Sequence, residues 1–458
     1  MTEEFATTNY DADVSPALTA FMREGWAADP APSTEPAEVA PYAAKRRGAL
    51  SAAFPGQVIV VAAGSPHLRN GDVPYPFRAS SDFVWLTGAS APDAVLVMAP
   101  DPEAPSMHTS TLYLRVGASR HESAQFYRDR NYGELWTGRL PGITETQATL
   151  GLTTRPLTEL DGVLRALKGK PTADASKVAT TLSDLRLVKD DWEIAQLSDA
   201  IAASVHGFED VVRELKTAPS ERWIEGTFWR RARLEGNDVG YNSIAAAGEH
   251  ACVLHWVRND GPVRDGDLLL LDAGVENTAL YTADVTRTIP VNGRFTEPQR
   301  RVYQLVYDAQ SAALEAVKPG AHFGDYFRAA QQVLANGLVE WGILPASAKD
   351  LDGPDGDLHR RYTLHGTGHM LGLDVHDCAQ AREENYHLGV LQPGYMLTVE
   401  PGLYFQPDDL TVPDELRGIG VRIEDDVVVT RDGCRNLTEA LPRDADAVEA
   451  WMANLLAS

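Results

Sequence analysis

One short stretch of the sequence concentrates groups that can bind metals or move protons. It spans residues 365–377, and three of the twelve histidines of the chain fall inside it, at positions 365, 369 and 376. Glycines at 366, 368 and 372 allow tight turns and a close approach of the backbone to whatever the imidazoles hold. The composition of this stretch predicts a functional site.

Four carboxylates in apolar, strand-like segments flank this stretch, two upstream and two downstream. They are Asp272, Asp284, Glu400 and Glu424. For any one of them a solvated or salt-bridged surface position is the ordinary alternative. Four that converge from leucine- and valine-rich strands would be very costly to bury without compensating charge. Because two divalent cations neutralise four carboxylates, we predict that one histidine and these four groups hold two metal ions that activate a water.

The elements around these residues explain how they can meet. A hairpin turning near Asn277 would bring Asp272 and Asp284 together on one face. Alternation in residues 421–424 places Arg422 and Glu424 on the same face of their strand. Carboxylates with a single imidazole form a hard ligand set, which favours manganese, or else cobalt or iron(II), over a thiolate-type zinc site.

Composition and charge narrow the class of protein. The 458 residues are enough for about two or three domains, and 44% hydrophobic and 23% charged residues are ordinary for a soluble globular chain. A net charge of −24 argues against nucleic-acid and anionic-membrane partners and fits a solvated acidic surface. Three cysteines without metal-type spacing fit a reducing cytoplasm. We expect a cytoplasmic protein, because neither a signal peptide nor a membrane-spanning run is recognisable.

Three regions follow one another along the chain. Residues 1–45 are rich in Pro, Ala and Glu and predict an extended arm with one short helix around residues 16–26, which Phe21 and Trp26 could dock. Residues 46–185 predict a smaller α/β domain with a helix near 42–53 and strands at 58–62, 83–86, 94–98 and 111–115. Its aromatic-rich segments 83–86 and 132–139 are expected in the core or in ordinary loops, with a subunit contact as the alternative.

Residues 186–458 predict an α/β region with helices outside an antiparallel sheet. Asp190 caps a long helix with an apolar face, and a second helix spans about 223–235. Thr296 opens a third with a capping box, and a fourth runs from about 323 to 341. Strands and loops then follow, from 362 to 430. The two acidic pairs suggest two similar halves, although no direct repeat in the sequence supports this.

The chain resembles aminopeptidase P, the Xaa-Pro aminopeptidase of the pita-bread metallopeptidase family (M24B). The resemblance covers about residues 186–438 and is weaker over the N-terminal domain. The motifs that carry it are Tyr241-Asn-Ser-Ile, Leu254-His255, Leu271-Asp272-Ala-Gly, Ala283-Asp284-Val-Thr-Arg-Thr, His365-Gly-Thr-Gly-His369, Leu373-Asp-Val-His376-Asp, Thr398-Val-Glu400-Pro-Gly-Leu-Tyr404 and Gly420-Val-Arg-Ile-Glu424-Asp-Asp.

The resemblance implies a ligand set and an outer shell for the two ions. The implied ligands are Asp272, Asp284, His369, Glu400 and Glu424, with Asp284 and Glu424 bridging both ions. The implied outer residues are His255, His365, His376 and Arg422. Every ligand position has the expected residue type, which argues against metal-free relatives such as creatinase. Tyr241 and Tyr404 are expected to pack rather than to take part in the chemistry.

The resemblance also implies a reaction. A hydroxide between the ions attacks the first carbonyl of a peptide whose second residue is proline, and Glu400 carries the proton to the leaving nitrogen. The three outer histidines hold the peptide and the developing oxyanion. Each of them could instead be purely structural, and Arg422 could simply balance the acidic site.

The same residues are compatible with other functions. A prolidase, which cleaves only Xaa-Pro dipeptides, is the alternative within the same fold. Methionine aminopeptidase fits less well because it lacks such a large N-terminal domain. A peptidase-like binding module without chemistry is the alternative from another class. A homo-oligomer, dimer or tetramer, is expected, with the N-terminal domain restricting each active-site entrance.

Overall fold

The chain forms two units, each with its own sheets and helices. The computed structural model describes residues 15–28, 35–104, 107–120 and 125–457. The division falls between Met1–Thr181 and Leu182–Ser458. In the described part of the chain, no helix has both the length and the apolar character needed to cross a membrane.

The first unit is an α/β unit built on a four-stranded sheet. Its strands are β1 (Ile59–Ala62), β2 (Leu68–Asn70), β3 (Val73–Pro74), β4 (Val95–Pro100), β5 (His108–Leu114) and β6 (Thr153–Pro156). Its helices are α1 (Pro16–Phe21), α2 (Ala40–Ala53), α3 (Ser81–Thr87), α4 (Gln125–Arg128), α5 (Glu134–Thr137), α6 (Ile143–Leu150), α7 (Leu160–Leu167) and α8 (Ala175–Arg186), the last of which continues past the division. The sheet order is β1-β4-β5-β6, with a parallel last pair.

Most of the elements predicted for this unit are present, but the strand predicted at residues 83–86 is wrong. These residues lie in helix α3, which Gly88 ends in the left-handed conformation with a φ of +72°. Because Phe83 and Leu86 are fully buried, a subunit contact there is also wrong. A short apolar run carries too few turns to separate a buried strand from a buried helix by its periodicity.

The amino-terminal arm is described only in part. The short helix predicted from Pro16 is confirmed as α1, and Ser15 caps it through its hydroxyl. Trp26 packs edge-to-face on Phe126 at 6.1 Å between ring centroids, whereas Phe21 is exposed. The remainder of the predicted arm, residues 1–14 and 29–34, lies outside the described residues.

The second unit consists of long helices packed on small antiparallel sheets. Its helices are α9 (Asp191–Glu214), α10 (Glu221–Glu235), α11 (Glu297–Ala316), α12 (Phe323–Glu340) and α13 (Ala445–Ala457). Its strands are β7 (Asp238–Val239), β8 (Ile244–Ala247), β9 (Leu268–Asp272), β10 (Val275–Glu276), β11 (Thr286–Pro290), β12 (Met396–Val399), β13 (Gly402–Tyr404), β14 (Gly420–Arg422), β15 (Asp425–Val429) and β16 (Cys434–Asn436).

The helix boundaries follow the capping residues that the sequence predicted. Asp190 and Glu193 form a reciprocal capping box at the start of α9, and Thr296 and Gln299 form another at the start of α11. Each box satisfies backbone N–H groups that have no partner within the helix. The apolar face of α9 packs inward, with Leu197 buried. The predicted helices and their caps are therefore confirmed.

Two three-stranded antiparallel sheets carry the acidic residues or the strands beside them. Their orders are β11-β9-β8 and β12-β15-β16. A separate pair, β13 and β14, joins residues 402–404 to 420–422. The predicted combination of outer helices with antiparallel strands is confirmed. A large apolar core lies between helices and sheets and includes the fully buried Leu269, Val306, Leu334 and Val427.

The acidic hairpin requires glycine at one position. The chain turns at Asn277, whose side chain accepts hydrogen bonds from two backbone N–H groups of the turn, and Glu276 pairs with Thr282. At Gly274 the opposite arm approaches so closely that an added Cβ would meet the carbonyl oxygen of Ala283. Only glycine lets the two arms approach this closely.

We expect Gly274→Ala to lower the free energy of unfolding by about 2–3 kcal/mol, because backbone atoms must move apart to admit the methyl group. The matched control is Gly226→Ala, in the interior of α10, where an added Cβ meets nothing within 4 Å. That substitution should raise the free energy of unfolding by about 0.5–1 kcal/mol. Urea denaturation of both variants in the presence of a chelator measures the two free energies of unfolding. Equal free energies of unfolding for Gly274→Ala and Gly226→Ala would contradict the steric argument.

Candidate metal centre

The first acidic pair is held at the end of the β9–β11 hairpin. Asp272 is the last residue of β9 and pairs across the sheet with Thr286 of β11. Asp284 lies two residues before Thr286, and its backbone N–H donates to Asp426 at 3.1 Å. The predicted hairpin and the predicted proximity of the two aspartates are confirmed, because one hydroxyl, that of Tyr241, lies within 2.6 Å of Asp272 and 2.5 Å of Asp284.

Glu424 joins this pair from the short connection between β14 and β15. Its backbone N–H donates to the carbonyl of Thr286 at 3.0 Å. The Thr286 hydroxyl donates to the Glu424 carboxylate at 2.6 Å. Strand β11 therefore fixes both the backbone and the side chain of Glu424 beside the aspartates.

His369 presents one ring nitrogen to the acidic groups. Its Nδ1 lies 3.1 Å from the carbonyl oxygen of Met370, so Nδ1–H donates there. The other nitrogen, Nε2, then faces Asp284 Oδ2 at 3.3 Å and Glu400 Oε1 at 3.5 Å. A metal-binding imidazole is commonly oriented by such a second hydrogen bond. Thr398 adds to this orientation, because its hydroxyl accepts the His369 backbone N–H.

Three of the five predicted ligands form one compact group. The candidate ligand atoms of Asp284, His369 and Glu424 all lie within 4.8 Å of one another. The structure places the other two at its edges, Asp272 on the Tyr241 side and Glu400 on the His369 side. All five side chains thus converge on one region of the second unit.

The convergence of these acids is electrostatically unfavourable without a cation. Burial and neighbouring carboxylates raise the pKa of Glu424 well above its usual value. Burial, opposed by His369 and reinforced by Asp284, raises the pKa of Glu400 to about 7. Burial also raises the pKa of Asp272, although Arg422 opposes this.

The donor set fits divalent cations. Burial alone would lower the pKa of His369, but Asp284 and Glu400 raise it to about 9, so this imidazole is itself a cation in the centre of the group. A divalent ion displaces such protons because metal ligands bind in their deprotonated forms. Four carboxylate side chains and one oriented imidazole are a hard ligand set, suited to ions such as manganese.

Arg422 balances part of the negative charge and links the acids to further polar groups. Its guanidinium donates to Asp272 at 2.5 Å, to the Thr286 hydroxyl at 3.1 Å and to the Tyr404 hydroxyl at 3.0 Å. As the alternation of residues 421–424 predicted, Arg422 and Glu424 reach the same centre. Because three acceptors share it, the guanidinium is tightly oriented.

His365 lies beside Glu400 and the Tyr404 hydroxyl. Its Nδ1 is 3.8 Å from Glu400 Oε2, and its Nε2 is 2.8 Å from the Tyr404 hydroxyl. Burial, and then the charge of Arg422, lower the pKa of His365 to about 4. The imidazole is therefore neutral at neutral pH and can both donate and accept a hydrogen bond.

The other two predicted histidines lie at the open side of the centre. The ring of His376 is 4.3 Å from that of His369, nearly perpendicular to it. Both His376 and His255 are exposed. Burial, and then His369, lower the pKa of His376, and His255 contributes to lowering the pKa of both His376 and His365, so the three rings are close enough to interact electrostatically.

A buried ion cluster fixes the loop that carries His376. Asp377 pairs with Lys189 at 2.9 Å and with Arg186, and all three side chains are almost fully buried. Burial raises the pKa of Asp377, but Arg186 and Lys189 more than offset this and hold it well below its usual range. The Asp377 carboxylate therefore anchors this loop through two buried cations.

Two tyrosines that were expected only to pack make hydrogen bonds within the centre. Tyr241 contacts two aspartates, and Tyr404 connects His365 to Arg422. Both stand in the motifs that carry the resemblance, so their positions were recognisable. Their hydroxyl contacts were not, because these partners are 18–43 positions away in the sequence.

Comparison with known proteins identifies the family of this chain. The sequence matches metallopeptidase family M24 over residues 195–431 and the aminopeptidase P N-terminal domain over residues 43–173. It is 53% identical over 460 residues to Xaa-Pro aminopeptidase 2 of Streptomyces coelicolor, covering 96% of this chain and 97% of that protein. It is 31% identical to the Xaa-Pro aminopeptidase of Escherichia coli, covering 89% and 96%.

Solved structures give the same result. Aminopeptidase PepP of Pseudomonas aeruginosa superimposes with a TM-score of 0.79 at 32% identity, covering 91% of this chain and 98% of that one. Aminopeptidase P of Escherichia coli with the inhibitor Pro-Leu gives 0.79 at 31% identity, covering 91% and 99%. The chain belongs to metallopeptidase family M24, and within it to the aminopeptidase P group with the pita-bread fold. A centre for divalent metal ions is what this family implies.

We expect His369→Ala to weaken divalent-cation binding by more than about 100-fold, because a ligand atom disappears, whereas loss of a group hydrogen-bonded to a ligand costs roughly 10–100-fold. His376→Ala is the matched control, since it removes a neighbouring imidazole and should leave affinity nearly unchanged. Calorimetric titration of the chelated protein with Mn²⁺ measures both. Loss of affinity in the His376 variant alone would reverse the two assignments.

Proposed function

We propose that this chain is a dinuclear metal aminopeptidase that removes the first residue from peptides with proline in second position. The observation that carries the proposal is the convergence of Asp284, His369 and Glu424 on one centre, with Glu400 beside it. The names of the relatives, Xaa-Pro aminopeptidases at up to 53% identity, support the substrate class. Because these relatives align with nearly the whole chain, we extend their substrate class to this protein.

Two divalent ions, most suitably Mn²⁺, would be held by the five converging side chains. The carboxylates of Asp272, Asp284, Glu400 and Glu424 and the imidazole of His369 would supply the ligands. When bound, such a pair lowers the pKa of a shared water and polarises the carbonyl that is attacked. The preference for manganese follows from the carboxylate-rich ligand set.

Glu400 is the residue we assign to proton transfer. Its carboxylate lies between the rings of His369 and His365, at 3.5 and 3.8 Å. The leaving nitrogen of any peptide bond must gain a proton to depart as an amine, and this holds for the prolyl nitrogen, which carries no N–H in the peptide. A carboxylate at the centre can take a proton from water and deliver it to that nitrogen.

The outer residues would bind and polarise the peptide. His365 is neutral at neutral pH, and its ring and the Tyr404 hydroxyl form a polar pair beside Glu400. The exposed rings of His255 and His376 are accessible to an incoming peptide. Donors in these positions would stabilise negative charge as it develops on the attacked carbonyl oxygen.

We expect Glu400→Gln to lower kcat by about 10²–10⁴-fold, because the amide can neither accept the proton nor supply the ligand charge. Glu439→Gln, at an exposed position of the same unit, is the control and should be silent. Steady-state kinetics with a Xaa-Pro peptide, together with metal analysis of each variant, tests this. Full activity of the Glu400 variant would show that this residue does not transfer the proton. Absence of hydrolysis by the Mn²⁺-loaded parent protein would instead favour a binding module without catalytic activity.

Prolidase is the alternative within the same fold, and substrate length separates the two. A dipeptidase needs a cation for the free carboxylate of proline, whereas Arg422, the cation beside Asp272, already donates to three acceptors. We therefore favour a site that accepts longer peptides.

We also propose that the protein is a cytoplasmic homo-oligomer of two or four chains. Its acidic net charge supports the proposal that it has no nucleic-acid or membrane partners.

We expect a tripeptide Xaa-Pro-Xaa to be cleaved with a kcat/KM at least equal to that of the dipeptide Xaa-Pro. Only the first residue should be released, and acetylation of the amino terminus should stop cleavage because the amine is expected to need the acidic end of the site. Product analysis by mass spectrometry with kinetics at both lengths decides it. A clear dipeptide preference with inert tripeptides would identify a prolidase instead.

A further inference from the structure

The side chain of His255 makes no hydrogen bond to any residue that the structure describes. It lies in the segment 248–261 between β8 and β9, and its side chain is exposed. Within the ranges that the structure describes, no hydrogen bond to its ring is present, in contrast to the rings of His365 and His369. Its position therefore depends on how its own segment is held.

The neighbouring residue, Trp256, is firmly held on its ring and at its indole nitrogen. The ring of His250 stacks on it at 3.9 Å between centroids and 24° between planes. The guanidinium of Arg258 lies 4.1 Å from the centroid of the Trp256 ring. The indole Nε1–H donates to Glu221 at 2.8 Å. Since Trp256 is buried and adjacent in sequence, it fixes the backbone from which His255 projects.

Glu221 is the carboxylate on which the whole segment converges. It is the first residue of α10 and is fully buried. Besides Trp256, its oxygens accept from the backbone N–H of Ala247 at 2.8 Å and of Gly261 at 2.6 Å, and from His250 Nδ1 at 2.7 Å. One side chain thus binds the residue before the segment, its last residue and two rings between them.

Gly261 and the buried side chain of Asn259 also hold the segment 248–261 in place. A Cβ at Gly261 would lie 2.5 Å from the His250 ring and 2.8 Å from the Glu221 carboxylate, so only glycine allows this contact. Asn259, fully buried with a φ of +47°, donates to the carbonyl of Ser243 and accepts from the N–H of Ala245. The segment is therefore tied to β8 and to α10 at separate points.

We propose that Glu221 is a positioning residue for His255, acting through Trp256 and the segment 248–261. The inference rests on the proposed function, because it assumes that His255 faces the peptide. Glu221 itself is buried and bonded away from the metal centre. Its contribution is to hold an exposed ring, which has no hydrogen bond of its own in the described part of the chain, in one place relative to the substrate.

The test is a double-mutant cycle between Glu221→Gln and His255→Ala. Glutamine keeps the size of the side chain but replaces one acceptor oxygen by an NH₂ group, so two of the four donors lose their partner. We expect Glu221→Gln alone to lower kcat/KM for a Xaa-Pro tripeptide by about 10–100-fold, the scale that a displaced catalytic group produces. In the His255→Ala background the same change should cost less than about twofold.

Two further variants separate positioning from general damage. Trp256→Phe keeps a six-membered ring for stacking but loses the indole N–H and part of the buried ring, and its loss of kcat/KM should also vanish without His255. Glu214→Gln is the matched control, because Glu214 likewise accepts from an indole, that of Trp223 at 2.8 Å, and from the Thr227 hydroxyl. It should leave kcat/KM unchanged.

A spectroscopic measurement makes the test independent of activity. In the metal-free protein with ¹³Cε1-labelled histidine, the His255 signal is the one missing from the His255→Ala spectrum. It should shift or broaden in Glu221→Gln and Trp256→Phe and stay unchanged in Glu214→Gln. An unchanged signal, or equal losses of kcat/KM in both His255 backgrounds, would overturn the inference. If the parent does not cleave Xaa-Pro peptides, the proposed function fails, and the histidine signal alone decides on positioning. Should Glu221→Gln not fold, Trp256→Phe decides.

Discussion

The mutual repulsion of buried carboxylates is the constraint on which the second unit depends. Asp284, Glu424 and Glu400 approach one another in a region where burial and neighbouring charge raise the pKa of both glutamates. Such a group is stable only with positive charge at its centre. In the protein alone, a protonated His369 and the guanidinium of Arg422 supply part of it. Divalent cations would supply the rest. The carboxylate repulsion that destabilises the metal-free protein is therefore also what favours the binding of divalent cations.

Neighbouring hydroxyls hold the acids in place. Thr286 donates its hydroxyl to Glu424 and its carbonyl accepts the Glu424 N–H, while the Tyr241 hydroxyl lies between the two aspartates. The peripheral histidines are held differently. The loop of His376 is fixed by the buried Lys189–Asp377 pair. The acidic centre is therefore rigid, whereas the exposed rings depend on their loops for position. The rigid centre suits metal binding, and the exposed rings suit peptide binding.

Much of this site was predictable from the sequence, because its cues are local. The leucine run before Asp272, the turn at Asn277 and the alternation at Arg422 and Glu424 each predicted a face or a turn that the structure confirms. The capping boxes predicted helix starts for the same reason. The helix at residues 81–87 was missed because a run of a few apolar residues has no readable period. The hydroxyl contacts of Tyr404 and the cations that hold Asp377 were missed because no local pattern encodes a partner remote in sequence.

Those remote partners have a consequence for how the enzyme is made. Arg422 meets Asp272 across 150 positions of the chain, and Arg186 meets Asp377 across 191. Contacts between residues so distant in sequence form slowly and require both ends to be present. A ribosome-bound chain that ends before residue 424 has only part of the ligand set, so the growing polypeptide cannot assemble the complete centre. Hydrolytic capacity should therefore appear only after nearly the whole second unit has left the ribosome.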